Sequence, residues 1–262
     1  MPNSIINIVA ILQSRMNPQR LPHKAILSLG GKPLLITTTE RIKACKLINM
    51  LAVSTTNGII DDQVYNLCKR ADIPVFRNSK ENQINIDYKI ALKYDADVIV
   101  KISINEPLID PALITMMIRY YIENKEQYDY VCNLHPATYP EGNEIEIVSV
   151  QSLRKAWELA KTSSERENST LFIQNNPGIF KLGNIKWESG HDYSRSHRWI
   201  LDYEEDYVFI KIIYDELYYE NKFFDIYEIL SLLDKQPHLK NINSRYLGIN
   251  NYNKVNHYNH VL

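Results

Sequence analysis

The chain has 262 residues, 45% of them hydrophobic and 23% charged, and its formal net charge is −1. This length can bury a full core without metals or disulfides, and the near-neutral charge supplies no overall field that would attract nucleic acid or anionic lipid. The start of the chain, MPNSIINIVAILQSR, has a short apolar run with no basic segment before it, which is typical of neither a signal peptide nor a membrane span. We therefore expect a cytoplasmic protein with neither nucleic acid nor membrane as a partner.

The cysteines and histidines do not predict a metal or disulfide site. Cys45, Cys68 and Cys132 are far apart and form no CxxC pair, so we expect buried free thiols in a reducing compartment. The histidines show no HxH or HxxxH spacing, so a histidine metal site is not expected.

Strand and helix patterns alternate through roughly the first 110 residues. This alternation predicts a parallel sheet covered by helices on both faces. The predicted strands are IINIVAILQ, MLAVSTT, IPVFR and DVIVKIS, and the predicted helices are PLLITTTERIKACKL from Pro33, GIIDDQVYNLCKRAD and NQINIDYKIALKYD.

The second half is less regular. A helix in LIDPALITMMIRYYIENKE and a strand in YDYVCNL continue the pattern, and EIEIVSV alternates like an antiparallel strand. Ser152 is predicted to open the helix SLRKAWELAKT, and FKLGNIKWES and YEEDYVFIKIIYDELY read as strand and helix. No linker or repeat interrupts the chain, so we expect one domain over 1–262, with a smaller second-half subdomain beginning at about residue 131.

Three cations lie on the loop directly after the first strand. Arg15, Arg20 and Lys24 could surround a triphosphate, since each arginine offers a planar fork for two phosphate oxygens. A solvated basic loop is the open alternative. The loop matches neither GxGxxG nor GxxxxGK[ST], so it is neither a Rossmann dinucleotide loop nor a P-loop. Asn17 could supply the positive φ that glycine would otherwise give.

A second polar step follows the buried strand DVIVKIS. Asn105 and Glu106 stand at its carboxyl end, where open α/β sheets bind ligands. The position would suit a carboxylate that binds metal, but it holds an amide.

The loop after the first strand resembles the signature of cytidylyltransferases that activate acidic sugars, especially the spore-coat polysaccharide and 3-deoxy-manno-octulosonate branches and their acylneuraminate relatives. The pattern Q-A-R-x-x-S-x-R-L-P-x-K, followed by L-x-G-K-P-L, is matched at Gln13, Arg15, Arg20, Leu21, Pro22, Lys24, Leu29, Gly31, Lys32, Pro33 and Leu34. It departs at Ser14, Asn17, Pro18 and His23. Further segments resemble family motifs in the same order: VSTTN, VFRNS, NEPLIDP, YPEGNEIEI, SSERE and RWILDYEED.

The resemblance implies a Rossmann-like, GT-A-like nucleotidyltransferase fold of three layers, with a mixed, mostly parallel sheet. It also implies transfer of CMP from CTP to a sugar or sugar-like acceptor with release of pyrophosphate, Mg²⁺ as cofactor, and a homodimer formed through second-half strands. The nucleotide part would cover about residues 1–130 and the acceptor part about 131–262. By resemblance, the nucleotide site would contain Gln13, Arg15, Arg20, Lys24, Ser54, Thr55, Arg77, Ser103 and Asn105, and the acceptor site Tyr139, Glu144, Glu146, Arg166 and Arg198.

Some of these residues have plainer interpretations that remain open. Glu144 and Glu146 alternate with isoleucines and could be the wet face of a strand. Arg166 could be a surface partner of Glu165 or Glu167. Trp199 is expected in the core rather than stacked on a base.

The metal pair is where the chain departs most from the family. The two aspartates that bind the metal in the family correspond to Asn105 and Asp202 in this sequence. One negative charge is therefore missing, and the affinity for Mg²⁺ should fall. Glu106 could replace that charge, although alternation along the strand would turn it away. Three interpretations therefore remain open. The chain could be an active enzyme whose catalytic set is Arg15, Lys24, Asn105 and Asp202, or an inactive or regulatory nucleotide-binding homologue. It could also be a scaffold recruited for another nucleotide or acceptor. Ile104, in place of the family's glycine, bears on the last option.

Overall fold

A computed structural model of the chain describes residues 6–16, 20–79 and 82–249. Asn17 and Pro18 lie outside these described residues. The strands are β1 Ile8–Gln13, β2 Ser28–Leu29, β3 Lys32–Pro33, β4 Met50–Thr56, β5 Val75–Asn78, β6 Val98–Ser103, β7 Tyr130–Cys132, β8 Glu146–Ser149 and β9 Leu182–Asn184.

Helices separate most of these strands. The α-helices are α1 Leu34–Ala44, α2 Asp62–Arg70, α3 Gln83–Lys93, α4 Pro111–Glu123, α5 Val150–Leu159, α6 Ser163–Glu167, α7 Leu171–Gln174, α8 Glu204–Leu217 and α9 Ile226–Lys235. Short 3₁₀ turns cover Lys24–Ile26, Ile59–Asp61, Pro237–Asn241 and Ser244–Tyr246.

One mixed sheet organises the described part of the chain, with strand order β5-β4-β1-β6-β8-β7-β9. The first four strands in this order are parallel. β8 runs antiparallel to both β6 and β7, and β9 is parallel to β7. The sheet is therefore mixed and mostly parallel, as the resemblance implied, and the antiparallel strand predicted in EIEIVSV is confirmed.

Alternating side chains of β1 place an apolar core on each face of the sheet. Ile8, Ala10 and Leu12 pack into one cluster with residues of α1, α4, α8 and α9. Val9 and Ile11 pack into a second cluster with residues of α3 and α5. A sheet buried on both faces is the arrangement that the βα alternation predicted, and it makes the fold three-layered.

Several local predictions can be compared with the structure. The three cysteines are free and buried, which confirms the expectation of buried free thiols. The prediction that Ser152 opens α5 is wrong, because the side chain of Ser149 accepts the hydrogen bond from the Ser152 backbone N–H and caps the helix. No helix in the described ranges combines the length and apolar character needed to cross a bilayer.

Candidate active site

The site lies at the carboxyl ends of the central parallel strands. Gln13 ends β1 and is in register with Ser54 of β4 on one side and Ser103 of β6 on the other. From β1 the chain continues to β4 on one side of the sheet and reaches β6 on the other, so β1 borders the point where the strand order reverses. Open α/β sheets bind ligands outside this point.

Lys24 reaches this edge from the 3₁₀ turn that follows the basic loop. It is only 2% exposed, and its ammonium donates a hydrogen bond to Oδ1 of Asn105. Burial lowers the pKa of Lys24 to about 8, although the nearby Asp202 carboxylate opposes this shift. The lysine of the predicted phosphate loop and the amide of the predicted metal pair are thus direct neighbours.

Asn105 also contacts the second member of the predicted metal pair. Its Nδ2 donates to Oδ1 of Asp202 at 3.1 Å, and Arg20 donates to Oδ2 of the same carboxylate at 2.5 Å. The backbone N–H of Leu201 donates to the Asn105 carbonyl at 2.7 Å, which fixes the two segments together. Four residues predicted from sequence therefore form one hydrogen-bonded chain, Lys24–Asn105–Asp202–Arg20.

The donors and acceptors of these four side chains determine whether a divalent cation fits between them. An ammonium can only donate, so the amide must turn its oxygen to Lys24 and its nitrogen to Asp202. Both oxygens of Asp202 already accept hydrogen bonds, and two cations stand beside this single carboxylate. Mg²⁺ requires oxygen lone pairs, so the residues as arranged do not fit the metal that the resemblance implies.

Glu106 does not supply the missing charge. It follows the turn after β6, it is 2% exposed, and its side chain faces Glu144. Burial, together with the charge of Glu144, raises the pKa of Glu106 well above its ordinary value. Glu106 therefore belongs to a separate acidic pair, and its proposed role as a replacement ligand beside Asp202 is not supported.

Arg15 lies at the same edge within a polar network. One of its terminal nitrogens donates to Oε1 of Gln83 at 2.8 Å and to the Glu167 carbonyl at 3.1 Å. Gln83 in turn donates to the Ser54 hydroxyl at 3.0 Å, and the neighbouring Thr55 is buried. Gln83 was not predicted as a site residue, because its only signal in the sequence is its place at the start of the helix after β5.

Arg77 shapes a loop. Its guanidinium donates to the Thr56 carbonyl at 2.8 Å and to the Gly58 carbonyl at 3.2 Å, and it pairs with Asp62 at 2.8 Å. These contacts hold the segment between β4 and α2. The assignment of Arg77 to the nucleotide site stays a prediction, and a bound nucleotide would have to compete with these contacts.

Glu144 and Glu146 lie beside the strand ends. Both oxygens of Glu144 accept from the Gly142 backbone N–H, at 2.9 and 3.0 Å. Glu146 accepts from the Tyr130 hydroxyl at 2.7 Å and from the Thr170 hydroxyl at 2.5 Å. Glu144 precedes β8, and both glutamates are half-buried and accept hydrogen bonds from the protein, so they do not form a fully solvated strand face.

The remaining predicted acceptor residues are engaged elsewhere. The Arg198 side chain has no exposed surface and forms two 2.8 Å hydrogen bonds to the Asp206 carboxylate. Arg166 donates to the carbonyls of Trp157 and Ala160 and to the Asn82 side chain, so it pairs with neither Glu165 nor Glu167. Tyr139 is 7% exposed and packs against the Trp187 ring. The acceptor role of these three residues stays a prediction, and an acceptor would have to compete with these contacts, whereas Trp199 is fully buried as expected.

Comparison with known proteins supports the family resemblance. The family model described as cytidylyltransferase matches residues 9–232. An uncharacterized protein of Methanocaldococcus jannaschii is 31% identical over 91% of this chain and 95% of its own length. The spore coat polysaccharide biosynthesis protein SpsF of Bacillus subtilis is 26% identical over 88% of this chain and 95% of its own length. 3-Deoxy-manno-octulosonate cytidylyltransferases also match, over less than half of this chain.

A solved structure gives the same result for the fold. The structure of a cytidylyltransferase from Leptospira borgpetersenii is 28% identical, with a TM-score of 0.81 over 89% of this chain and 96% of the other. This similarity extends over both halves of the sheet.

Proposed function

Because this chain belongs to the cytidylyltransferase family, we propose that it transfers CMP from CTP to a sugar or sugar-like acceptor for surface polysaccharide synthesis. A nucleophilic oxygen of the acceptor attacks the α-phosphorus of CTP, the bond to the β-phosphate oxygen breaks, and pyrophosphate leaves. The observation that carries the proposal is the convergence of Lys24, Arg20, Asn105 and Asp202 at the strand ends.

The cations of the loop would supply most of the catalytic stabilisation. Phosphoryl transfer leaves little covalent chemistry to the protein, so catalysis depends on positioning the substrates and neutralising charge. Lys24, Arg20 and Arg15 already lie at the site edge, and phosphate oxygens would exchange with their present partners. Gln13, Ser54, Thr55 and Ser103 line the strand ends where the nucleoside would lie.

Mg²⁺ is the cofactor that the family resemblance suggests, but the residues as arranged in this chain do not fit it. Asp202 is the one carboxylate left of the metal pair, and its oxygens are held by Asn105 and Arg20. We expect little dependence of CTP binding on Mg²⁺, and we assign no catalytic step to the metal.

An inactive or regulatory nucleotide-binding homologue is the second candidate. Asn105 favours this candidate, because its amide connects Lys24 to Asp202 by hydrogen bonds without a metal. We also expect a cytoplasmic homodimer by family resemblance, with the nucleotide bound mainly by residues up to about 130 and the acceptor by later ones. Light scattering on the purified protein would test the dimer.

The first experiment is calorimetric titration of the full chain with CTP, UTP, ATP and GTP, each with and without Mg²⁺. The proposal is supported if CTP binds selectively and Lys24→Met weakens this binding at least tenfold. The variant would lose the buried positive charge that contacts the phosphates. The exposed Lys89→Met variant is the matched control and should bind CTP normally.

Pyrophosphate release in the presence of acceptors then separates the two candidates. CTP binding with release supports the transferase, and CTP binding without release under any acceptor favours the regulatory homologue. Equal affinity for all four nucleotides, or none, would refute both.

A further inference from the structure

The strand geometry of β1 continues beyond its last residue. The backbone N–H of Ser14 still donates to the Ser54 carbonyl of β4 at 2.8 Å. Arg15 then contacts α3 on one face of the sheet, whereas Met16 packs into the apolar cluster on the other face. Because side chains alternate along an extended chain, the backbone keeps the direction of β1 through residue 16.

A buried carboxylate fixes the end of this extension. Asp61 is 1% exposed, and its Oδ1 accepts from the Met16 backbone N–H at 2.9 Å. Its Oδ2 accepts from the Thr56 backbone N–H at 3.0 Å and from the Thr56 hydroxyl. Three hydrogen bonds to Asp61 therefore join the residue after Arg15 to the last residue of β4.

Helix capping does not account for this carboxylate. Asp61 is the N-cap residue of α2, and an aspartate at this position usually accepts from an N–H of the first helical turn. In this chain its side chain makes no such bond. Burying a carboxylate is unfavourable unless hydrogen bonds compensate, and bonds to a charged acceptor are strong and well directed. Both oxygens of Asp61 thus serve the contact between the loop and β4.

Thr56 gives this contact a rigid base. It is in register with Asn78 of β5, and its carbonyl accepts from Arg77 at 2.8 Å. The sheet therefore holds the end of β4 in place, and Asp61 extends that order to the backbone beside Arg15.

The direction of the Arg15 side chain depends on the backbone on both of its sides. Ser14 is fixed by its bond to β4 and Met16 by its bond to Asp61. Arg15 must then project toward α3, where its guanidinium lies at the edge of the proposed nucleotide site. A displacement of about 1 Å in a substrate-binding group can lower a rate by about 100-fold, so this fixation matters for function.

We propose that Asp61 is a positioning residue for the nucleotide and that it acts through Arg15. It holds the backbone of residues 14–16 extended and thereby directs the Arg15 guanidinium at a phosphate oxygen of CTP. The inference rests on the proposed function, because Arg15 has this role only if a nucleotide binds at the strand ends. Asp61 itself does not contact the nucleotide in this scheme.

The test is a double-mutant cycle on CTP binding, measured by calorimetry on the full chain. Asp61→Asn keeps the shape of the side chain but turns an amide donor toward backbone N–H groups, so we expect the dissociation constant for CTP to rise at least about tenfold. In an Arg15→Met background the same change should raise it less than about twofold, because the residue through which Asp61 acts is gone. Asp72→Asn is the matched control, since Asp72 is exposed and has a positive φ that asparagine tolerates.

Amide hydrogen exchange gives a second readout that needs no nucleotide. The Met16 amide should exchange slowly in the unaltered chain and in Asp72→Asn, and faster in Asp61→Asn, because its acceptor is disturbed. If Asp61→Asn does not fold, Thr56→Val decides the question. It removes one of the three hydrogen bonds and should weaken CTP binding by a smaller factor that also disappears in the Arg15→Met background.

The contrary results are distinct. Unchanged CTP affinity in Asp61→Asn, unchanged affinity in Arg15→Met, or equal losses from Asp61→Asn with and without the Arg15 side chain would overturn the positioning role and leave the nucleotide function intact. An unaltered chain that does not bind CTP would instead overturn the proposed function, and with it this role of Asp61.

Discussion

The amide of Asn105 lies between a lysine and an aspartate, and each neighbour fixes one end of it. Lys24 needs an acceptor and so takes the oxygen, which leaves the nitrogen for Asp202. A carboxylate in the same place would give Lys24 its acceptor and still turn a lone pair toward Asp202. The exchange of one side-chain oxygen for nitrogen at position 105 thus separates a hydrogen-bonded site from a metal site.

Asn105→Asp should create divalent metal affinity. We expect the dissociation constant for Mn²⁺ in the presence of CTP to fall at least about tenfold, because a second anionic oxygen joins Asp202. Electron paramagnetic resonance of free Mn²⁺ measures this directly, without any need for turnover. Asn175→Asp, on the exposed end of α7, is the control and should bind no additional metal. Equal Mn²⁺ affinity in the unaltered chain and the Asn105→Asp variant would contradict the interpretation that the amide of Asn105 prevents metal binding.

His197 makes folding sensitive to acid. Its side chain is 7% exposed, its Nε2 has no hydrogen-bond partner among the described residues, and burial lowers its pKa to about 4. The unfolded chain takes up this proton near pH 6.5 but the folded chain only near pH 4, so the stabilisation is present above pH 6.5 and is lost as the pH falls through this window. With partial solvent screening, the loss is about 2 kcal/mol.

Urea unfolding between pH 7 and pH 4 tests this. The free energy of unfolding should fall less steeply with acidification in His197→Gln than in the unaltered chain, while His191→Gln, on an exposed loop, should follow the unaltered chain. Parallel curves for all three proteins would show that His197 does not titrate differently on folding.

Among the elements, the segment before β8 depends on close backbone packing. Gly142 has φ +104°, and a Cβ built there would lie 2.6 Å from the backbone carbonyl carbon of Trp199. The adjacent backbone pairs Glu141 with the strand-like segment at 197–199 through hydrogen bonds of 2.9 and 2.7 Å. This contact also orients Glu144, whose carboxylate accepts from the Gly142 N–H.

Gly142→Ala should therefore lower the free energy of unfolding by about 2–4 kcal/mol, through backbone strain and overpacking together. Gly190 separates the two effects, because it also has positive φ, +76°, but nothing lies within 4 Å of a Cβ there. Gly190→Ala should lose only about 1 kcal/mol, from strain alone. Urea unfolding followed by tryptophan fluorescence measures both, and similar losses in the two variants would show that packing on Trp199 is unimportant.

Across the whole molecule, Arg198 connects segments that are far apart in the chain. It pairs with Asp206 at 2.8 Å and Glu141 at 3.2 Å, and it donates to the Tyr246 carbonyl at 3.3 Å. Asn243 donates to the same Asp206 carboxylate at 2.9 Å. A guanidinium with no exposed surface thus joins the start of α8 to the segment before β8 and to the final 3₁₀ turn.

Arg198→Met should reduce the free energy of unfolding by about 3–5 kcal/mol, because Asp206 and Glu141 would remain buried without their cation. Arg154→Met removes an exposed pair with Glu158 and should change stability by less than about 0.5 kcal/mol. Chemical denaturation of both variants checks the difference. If Arg198→Met folded normally and lost only acceptor binding, the acceptor role that the family resemblance implies for Arg198 would be supported instead.

The sequence by itself determined the βα alternation and the parallel strands, because these follow from local periodicity, and its resemblance to family motifs pointed to Lys24 and Asp202. Only the tertiary structure decided which polar residues share a pocket. Arg20 reaches Asp202 across 182 positions, and Arg15 reaches Gln83 across 68. Arg166 likewise donates to Asn82 across 84 positions, and Arg198 donates to Glu141 across 57. Burial and side-chain direction depend on contacts between distant segments, which no local pattern encodes.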